Sequence, residues 1–432
     1  GHKQGKNAIT TGNLAVDGSI YRTSSRGPAF DGRIKPDLCA HGQGQGSTVN
    51  DHEYDSFGGT SAAAPGMAGI VAQLHQAYRE LNGGSISPTS LLKSALLNTC
   101  NELHTPGPDF RSGWGQVNAY RALRTLEDQR YATDSIGLNE EKIHSIVVPE
   151  GTLRIKFMLY WAEPPAAPNV SRSLINDLDL TVAAPDGSVH LPWLLDHFPD
   201  PNRLDAPAQR GADHLNNVEQ VSFDLPEAGV YELRIAGTEL PFGKIEYYWT
   251  YEIISEAIRI THPVGGENWE AGQETVIHWD APLTTQDFTI EYSPDAGTTW
   301  QWIFQVPAER RRFMCRAPPN ALSGQALIRV SRDGESSQSD TTFSIAPRPL
   351  VEVTQVCDRE MAFRWFPIAE AEVYEVYQLG DKYMEPIAET TDTEYRIAIP
   401  TVTESANTWL AVKARGADWE SERSVAVNNP AG

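Results

Sequence analysis

The chain has 432 residues, 40% hydrophobic and 21% charged, a composition that folds rather than stays disordered; at roughly 150 residues per domain it holds about three domains. With 35 Lys+Arg against 57 Asp+Glu the net charge is −22, which argues against a partner with a phosphate backbone, so no nucleic acid is expected. No stretch approaches the ~20 apolar residues of a membrane span; the longest, Ala62 to Leu74, contains Pro65, Gly66 and Gly69. In chain order, Asn7 to Thr11 and Ile34 to Ala40 read as short strands. Ala62 to Leu81 reads as a helix ended by Asn82-Gly83-Gly84. Ser87-Pro88 opens a second helix, Thr89 to Asn98, with Leu91, Leu92, Ala95 and Leu96 on its apolar side. Asn118 to Leu126 suggests a third, so residues 1–128 have α/β texture.

After residue 140 the texture is strands alone. Leu153 to Trp161, Leu178 to Val182 and Tyr231 to Ile235 alternate with period two, and Pro185-Asp186-Gly187 makes a turn. A second β unit begins near Ala257, with strands at Val276 to Trp279, Phe288 to Ser293 and Thr341 to Ile345. Ala346-Pro347-Arg348-Pro349 is a stiff linker. A third β unit has strands at Phe363 to Trp365, Val373 to Leu379 and Trp409 to Arg415. Charge supports a boundary near residue 128: residues 1–128 hold 11 Lys/Arg and 11 Asp/Glu, whereas residues 129–432 hold 24 and 46. The expected fold is therefore multidomain: a partial α/β segment with a parallel sheet, followed by three all-β sandwich domains.

Cys39, Cys100, Cys315 and Cys357 form no C-x-x-C, so a zinc site on them is not expected. Cys39 and Cys100 read as buried or incidental thiols. The chain begins at Gly1 with no Met and no signal-peptide core, and is expected to be a processed or excised piece. Asn169-Val170-Ser171 fits a glycosylation acceptor, a tripeptide common by chance.

Chemistry concentrates at Gly58-Gly59-Thr60-Ser61-Ala62-Ala63-Ala64-Pro65-Gly66. A serine at a helix start sits beside the positive end of the helix dipole and its free N–H groups, which can stabilise an oxyanion next to Oγ. The glycines admit a substrate backbone, and Pro65 is tolerated in the first turn. Thr60 and Ser61 as ordinary caps of a buried helix are the competing reading.

This stretch resembles the G-T-S-x-A-x-P nucleophile segment of the subtilases, the subtilisin-like serine proteases. Ser24-Ser25-Arg26-Gly27-Pro28, Gly32-Arg33-Ile34-Lys35-Pro36-Asp37 and Gly113-Trp114-Gly115-Gln116-Val117-Asn118-Ala119 resemble three further segments of that family, in its order. The resemblance implies that residues 1–130 are the C-terminal portion of a subtilisin-like catalytic domain. It further implies that Ser61 is the nucleophile, in a nucleophile and oxyanion loop of Gly59, Thr60 and Ser61. In that family the Asp, the His and an oxyanion Asn precede the serine. Residues 1–60 hold no D-[ST]-G and no H-G-T. His41 reads as a substituted loop residue and His52 as a solvated one, while Asn7 lies too late for the oxyanion Asn. The expectation is a fragment of a secreted, bacterial serine endopeptidase, inactive as an isolated chain. Peptide hydrolysis would go through an acyl-enzyme on Ser61, with its own N-terminal catalytic half as partner and a protein or peptide as substrate. The alternative is a non-catalytic cell-surface or adhesion protein carrying a degenerate protease remnant. With half the sheet outside the chain, an exposed apolar patch at Ile70, Val71 and Leu74 is expected.

Residues 141–255 resemble the β-sandwich that follows some subtilase catalytic domains and, more remotely, the P-domain of proprotein convertases. No cofactor is required for the chemistry. Asn176, Asp177 and Asp179 are candidate calcium ligands, against the favoured reading that they face solvent or hold loop N–H groups. Residues 257–346 resemble an immunoglobulin-like module, through Pro263 to Trp269 and Ser293 to Trp300. Residues 349–428 resemble a fibronectin type III module with core aromatics Trp365 and Tyr374. Trp300 and Trp302 are read as packing residues rather than sugar platforms.

Overall fold

The computed structural model describes residues 4–50, 53–168, 170–357, 359–399 and 407–429. His52 and Asn169 fall outside them. The chain divides into two compact units, Gly1–Ser255 and Glu256–Gly432.

The first unit opens with β1 (Thr11–Leu14) and β2 (Leu38–His41), paired in parallel with Thr11 opposite Leu38. An exposed hairpin follows, β3 (Gln45–Thr48) and β4 (Tyr54–Phe57). Three helices come next: α1 (Thr60–Leu81), α2 (Thr89–Asn98) and α3 (Ala119–Glu127). The small residues at the start of α1 let it lie against the sheet: Ala62, Ala63, Met67 and Leu74 are buried. The patch expected at Ile70, Val71 and Leu74 does not form. Leu74 is buried, and Ile70 and Val71 pack on the same core as Leu38, Leu96 and Leu126. The exposed face of α1 carries Ala64, Gly66, Ala68, Gly69 and Ala72 instead.

Strands β5 (Tyr131–Ile136), β6 (Glu141–Val148), β7 (Arg154–Trp161) and β8 (Asp177–Ala183) begin the sandwich. Short pieces β9 (Val189–His190), β10 (Trp193–Leu194), α4 (Pro201–Leu204) and β11 (Gln209–Arg210) follow, then β12 (Val218–Asp224), β13 (Gly229–Glu239) and β14 (Ile245–Ile254). Two four-stranded sheets form, β12-β7-β14-β5 and β6-β13-β8-β9. Their facing side chains, including Phe157, Leu159, Leu180 and Leu233, make one core. The other face of the first sheet is also covered. Met158, Tyr160, Val218 and Tyr248 belong to the core of α1, α2 and α3. This is why β7 is buried at seven consecutive residues where an open sheet face would alternate.

The second unit is all β. Its first part is β15 (Arg259–His262), β16 (Asn268–Glu270), β17 (Glu274–Asp280), β18 (Phe288–Ser293), β19 (Gln301–Val306), β20 (Arg312–Arg316), β21 (Ser323–Arg332), β22 (Glu335–Gln338) and β23 (Phe343–Ala346). Sheet β15-β17-β20 faces a sheet built on β16-β23-β21-β18-β19 around Trp269, Trp279, Phe288 and Phe343. The second part is β24 (Val351–Cys357), β25 (Glu360–Trp365), β26 (Val373–Leu379), β27 (Met384–Thr390), β28 (Glu394–Ala398) and β29 (Leu410–Arg415). Sheets β24-β25-β28 and β27-β26-β29 enclose Phe363, Trp365, Tyr374 and Val412. The chain is thus multidomain, α/β followed by all-β.

Candidate active site and a polar cluster on the sandwich

Gly42, just past β2, is the pivot of the nucleophile loop. Its N–H donates to the Leu14 carbonyl at 3.2 Å and its carbonyl accepts the Gly59 N–H at 2.8 Å. A methyl group there would meet Gly59 O at 2.6 Å and Ala63 N at 2.8 Å, so only glycine lets the sheet end touch the helix start. Gly59 caps α1 with φ 98° and ψ −178°, a backbone region open essentially to glycine alone. Its carbonyl accepts the N–H groups of Ala62 at 3.0 Å and Ala63 at 3.2 Å. The Ser61 N–H therefore lies at the open, positive end of a 22-residue helix. Ser61 is exposed. Thr60, Ser61 and Ala64 share a cleft of about 670 Å³ with Thr10, Thr11 and Lys35. The serine thus lines a cleft beside the free N–H groups of a helix start, and Gly59, Thr60 and Ser61 come together at one point.

The other sequence candidates are engaged elsewhere. His41 Nδ1 lies 2.6 Å from Gln45 Nε2. The Asn7 side chain donates to the Glu163 carbonyl at 2.8 Å and accepts the Glu163 N–H at 3.0 Å. That ties it to the sandwich, not to the cleft. Lys35 and Asp37 are scaffolding. Asp37 pairs with Lys35 and, at 3.1 Å, with Lys93, and accepts the Thr10 N–H at 2.7 Å. Lys93 also donates to the carbonyls of Lys6 and Ala8 at 2.9 Å, so this buried group fixes the lead-in to β1. Burial pulls the Lys35 ammonium down to about 8, with Asp37 opposing the shift. Cys39 and Cys100 are buried free thiols; burial pushes Cys39 up to about 12 and Cys100 higher still. Sequence reasoning missed Asn13 on β1. It is fully buried, and its amide oxygen would lie 2.5 Å from a methyl on Gly42.

A cluster of polar side chains lies on the sandwich. Asp177 and Asp179 point the same way from β8, as period two requires. His214, in the loop before β12, joins them: one ligand atom from each of the three lies within 4.8 Å of the others. His214 Nδ1 is 2.9 Å from Asp177 Oδ2. Asn176 does not join them through its amide nitrogen, which donates to Glu163 at 2.9 Å. Burial pushes the Asp177 carboxyl up to about 6, with His214 and Arg172 opposing and Asp179 adding to the rise. No local signal placed His214 here, because it is 37 residues from Asp177 in the chain.

On the second unit, Trp300 stacks under the Arg329 guanidinium at 4.1 Å, whereas Trp302 is exposed and stacks on Phe304. Among the described residues no helix is long and apolar enough to cross a membrane.

The structure therefore holds an exposed serine at a helix N-terminus, on a loop pinned to a parallel sheet pair. Among known families, residues 2–115 match the model of the subtilase family. The chain is similar to the serine protease/ABC transporter B family protein tagA of Dictyostelium discoideum, 27% identical over 255 residues, which are 50% of this chain and 14% of that protein. It is also similar to the C5a peptidase of Streptococcus pyogenes, 37% identical over 133 residues, 29% of this chain and 11% of that protein. The chain therefore spans less than a fifth of the length of these relatives. Among solved structures, the patellamide maturation protease PatA aligns at TM-score 0.25 and 19% identity, over 28% of this chain and 44% of that one.

Proposed function

We propose that this chain is the C-terminal part of a secreted bacterial serine endopeptidase that cleaves protein or peptide substrates through an acyl-enzyme on Ser61. The observation that carries the reading is the exposed Ser61 at the start of α1, beside a cleft and within a subtilase-family segment. Its Oγ attacks the scissile carbonyl, and its own N–H and the helix dipole stabilise the oxyanion. The general base, its orienting carboxylate and the second oxyanion donor come from sequence outside these 432 residues, the N-terminal catalytic half. His41 supports this division, because the partner of its Nδ1 is the amide of Gln45 and not an orienting carboxylate. The immunoglobulin-like part, 257–346, and the fibronectin type III-like part, 349–428, serve as spacers on that enzyme.

Active-site titration tests the reading. A fluorophosphonate should label the longer gene product stoichiometrically, with Ser61→Ala abolishing the label, and should leave the isolated chain unlabelled. Labelling of the isolated chain would place the base within it. A longer product that resists the reagent would favour the non-catalytic adhesion protein.

A further inference from the structure

We propose that Asp177, Asp179 and His214 bind a divalent first-row transition-metal ion of the zinc class, at the edge of the sandwich where β8 meets the loop before β12. Strand β8 supplies both aspartates from one face, and the loop swings the imidazole over them.

A second observation points to a cation. Glu219 on β12 is 1% exposed and reaches across between the two sheets, its Oε2 accepting the Leu180 N–H at 2.6 Å. Its other oxygen, Oε1, is buried without a hydrogen-bond partner. Burial, with Asp213, Asp179 and Asp177 adding to it, raises the Glu219 carboxyl well above the usual carboxylate range. Asp177 Oδ1 and Asp179 Oδ1 are likewise buried and unpartnered. Asp177, 3% exposed, thus carries a buried carboxylate oxygen without a hydrogen-bond partner inside the cluster itself. Buried charges persist when they are paired or hold a metal. The side-chain cation on Asp177 is Arg172, 2.9 Å from its Oδ2, and the same guanidinium is shared with Glu239 at 2.9 Å. One guanidinium shared by Asp177 and Glu239 does not balance these two and Asp179, and its Nε also donates to the His214 carbonyl at 2.8 Å.

The donor chemistry selects the ion. Calcium takes six to eight oxygens, whereas an imidazole with carboxylates suits zinc and its neighbours. The calcium expectation for Asn176, Asp177 and Asp179 is thereby replaced by a set that includes His214 and leaves Asn176 to Glu163.

Calorimetric titration of the chelator-treated full chain with zinc chloride, and separately with calcium chloride, tests this. One zinc ion should bind per chain, and calcium should bind at least about tenfold more weakly. His214→Ala and Asp179→Asn should each weaken zinc about tenfold or more. Arg172→Ala, which removes the competing cation, should tighten it. Circular dichroism of each metal-free variant checks folding. Should Asp179→Asn fail to fold, the Arg172→Ala and His214→Ala results decide. Cobalt should give a visible d–d spectrum that His214→Ala changes. Absence of zinc binding, binding unchanged in His214→Ala, or calcium bound more tightly than zinc would each overturn the assignment. None of these readouts depends on Ser61, so peptidase activity and metal binding stand or fall separately.

Discussion

At the scale of single residues, two glycines set the position of Ser61. Gly59 holds a backbone conformation closed to other residues, so Gly59→Ala should destabilise the first unit by about 1–3 kcal/mol. Urea unfolding followed by tryptophan fluorescence measures this, and an unchanged midpoint would show that the helix start re-forms without strain. Gly42→Ala should cost a similar amount, about 1–3 kcal/mol, because the clash is with backbone atoms that cannot rotate away. The serine, its loop and the helix start were legible because a helix N-terminus leaves a local mark: glycines, a hydroxyl pair and a run of small residues. Gly42 was not legible. Its need for a bare Cα comes from Gly59 and Ala63, 17 and 21 positions downstream, and no short window contains that contact. His214 escaped notice for the same reason.

At the scale of elements, α2 shows what periodicity captures and what it leaves out. Its range, Thr89–Asn98, agrees with the sequence expectation, since Ser87-Pro88 and the leucine spacing are local signals. The expectation of one apolar side was too narrow. Every residue from Leu91 to Asn98 is buried, including Lys93, Ser94 and Asn98. The polar ones are satisfied at a distance: Ser94 by Thr250 at 3.0 Å, and Asn98 by Gln220 at 3.0 Å. Lys156, also buried, donates to the carbonyls of Asn98 and Cys100 at 3.0 Å and pairs with Glu252 at 2.7 Å. It thereby closes the C-terminal end of α2 from the sandwich side. Lys156→Met should destabilise the first unit by about 3 kcal/mol, because it strips Glu252 of its nearest cation and leaves helix carbonyls unpaired. Adding Glu252→Met should recover part of the loss. A double-mutant cycle on urea midpoints measures the coupling, and strictly additive losses would contradict the pairing.

At the scale of the molecule, the two units should respond to different insults. In the second unit His278 is drawn down to about 4 by burial, with Arg312 and His262 adding to the shift. The free imidazole titrates near 6.5, so between those values the unfolded chain binds more protons than the folded one. Stability is full above pH 6.5 and falls as pH drops toward 4, by on the order of 1–3 kcal/mol. A pH series of melting curves on the second unit should show this slope, and His278→Gln should flatten it. In the first unit, residues 1–128 should not fold cooperatively alone, whereas residues 1–255 should, since Met158, Tyr160, Val218 and Tyr248 cover α2. Chemical denaturation of the two pieces decides the matter. The break in charge near residue 128 marks the change from α/β to strands, but the α/β core continues across it. Composition records which residues meet solvent, not which segments share an interior.

That shared interior also constrains heredity. A shuffling event that cut at the charge break and fused a different module would leave the side of α2 that packs on β7 and β14 facing water. Such a chimera would be lost to aggregation before selection could weigh its new appendage. The β-strands from Tyr131 to Ile254 are therefore expected to travel with the nucleophile segment as one heritable block. Free exchange of modules would begin only after Ser255, where the second unit starts.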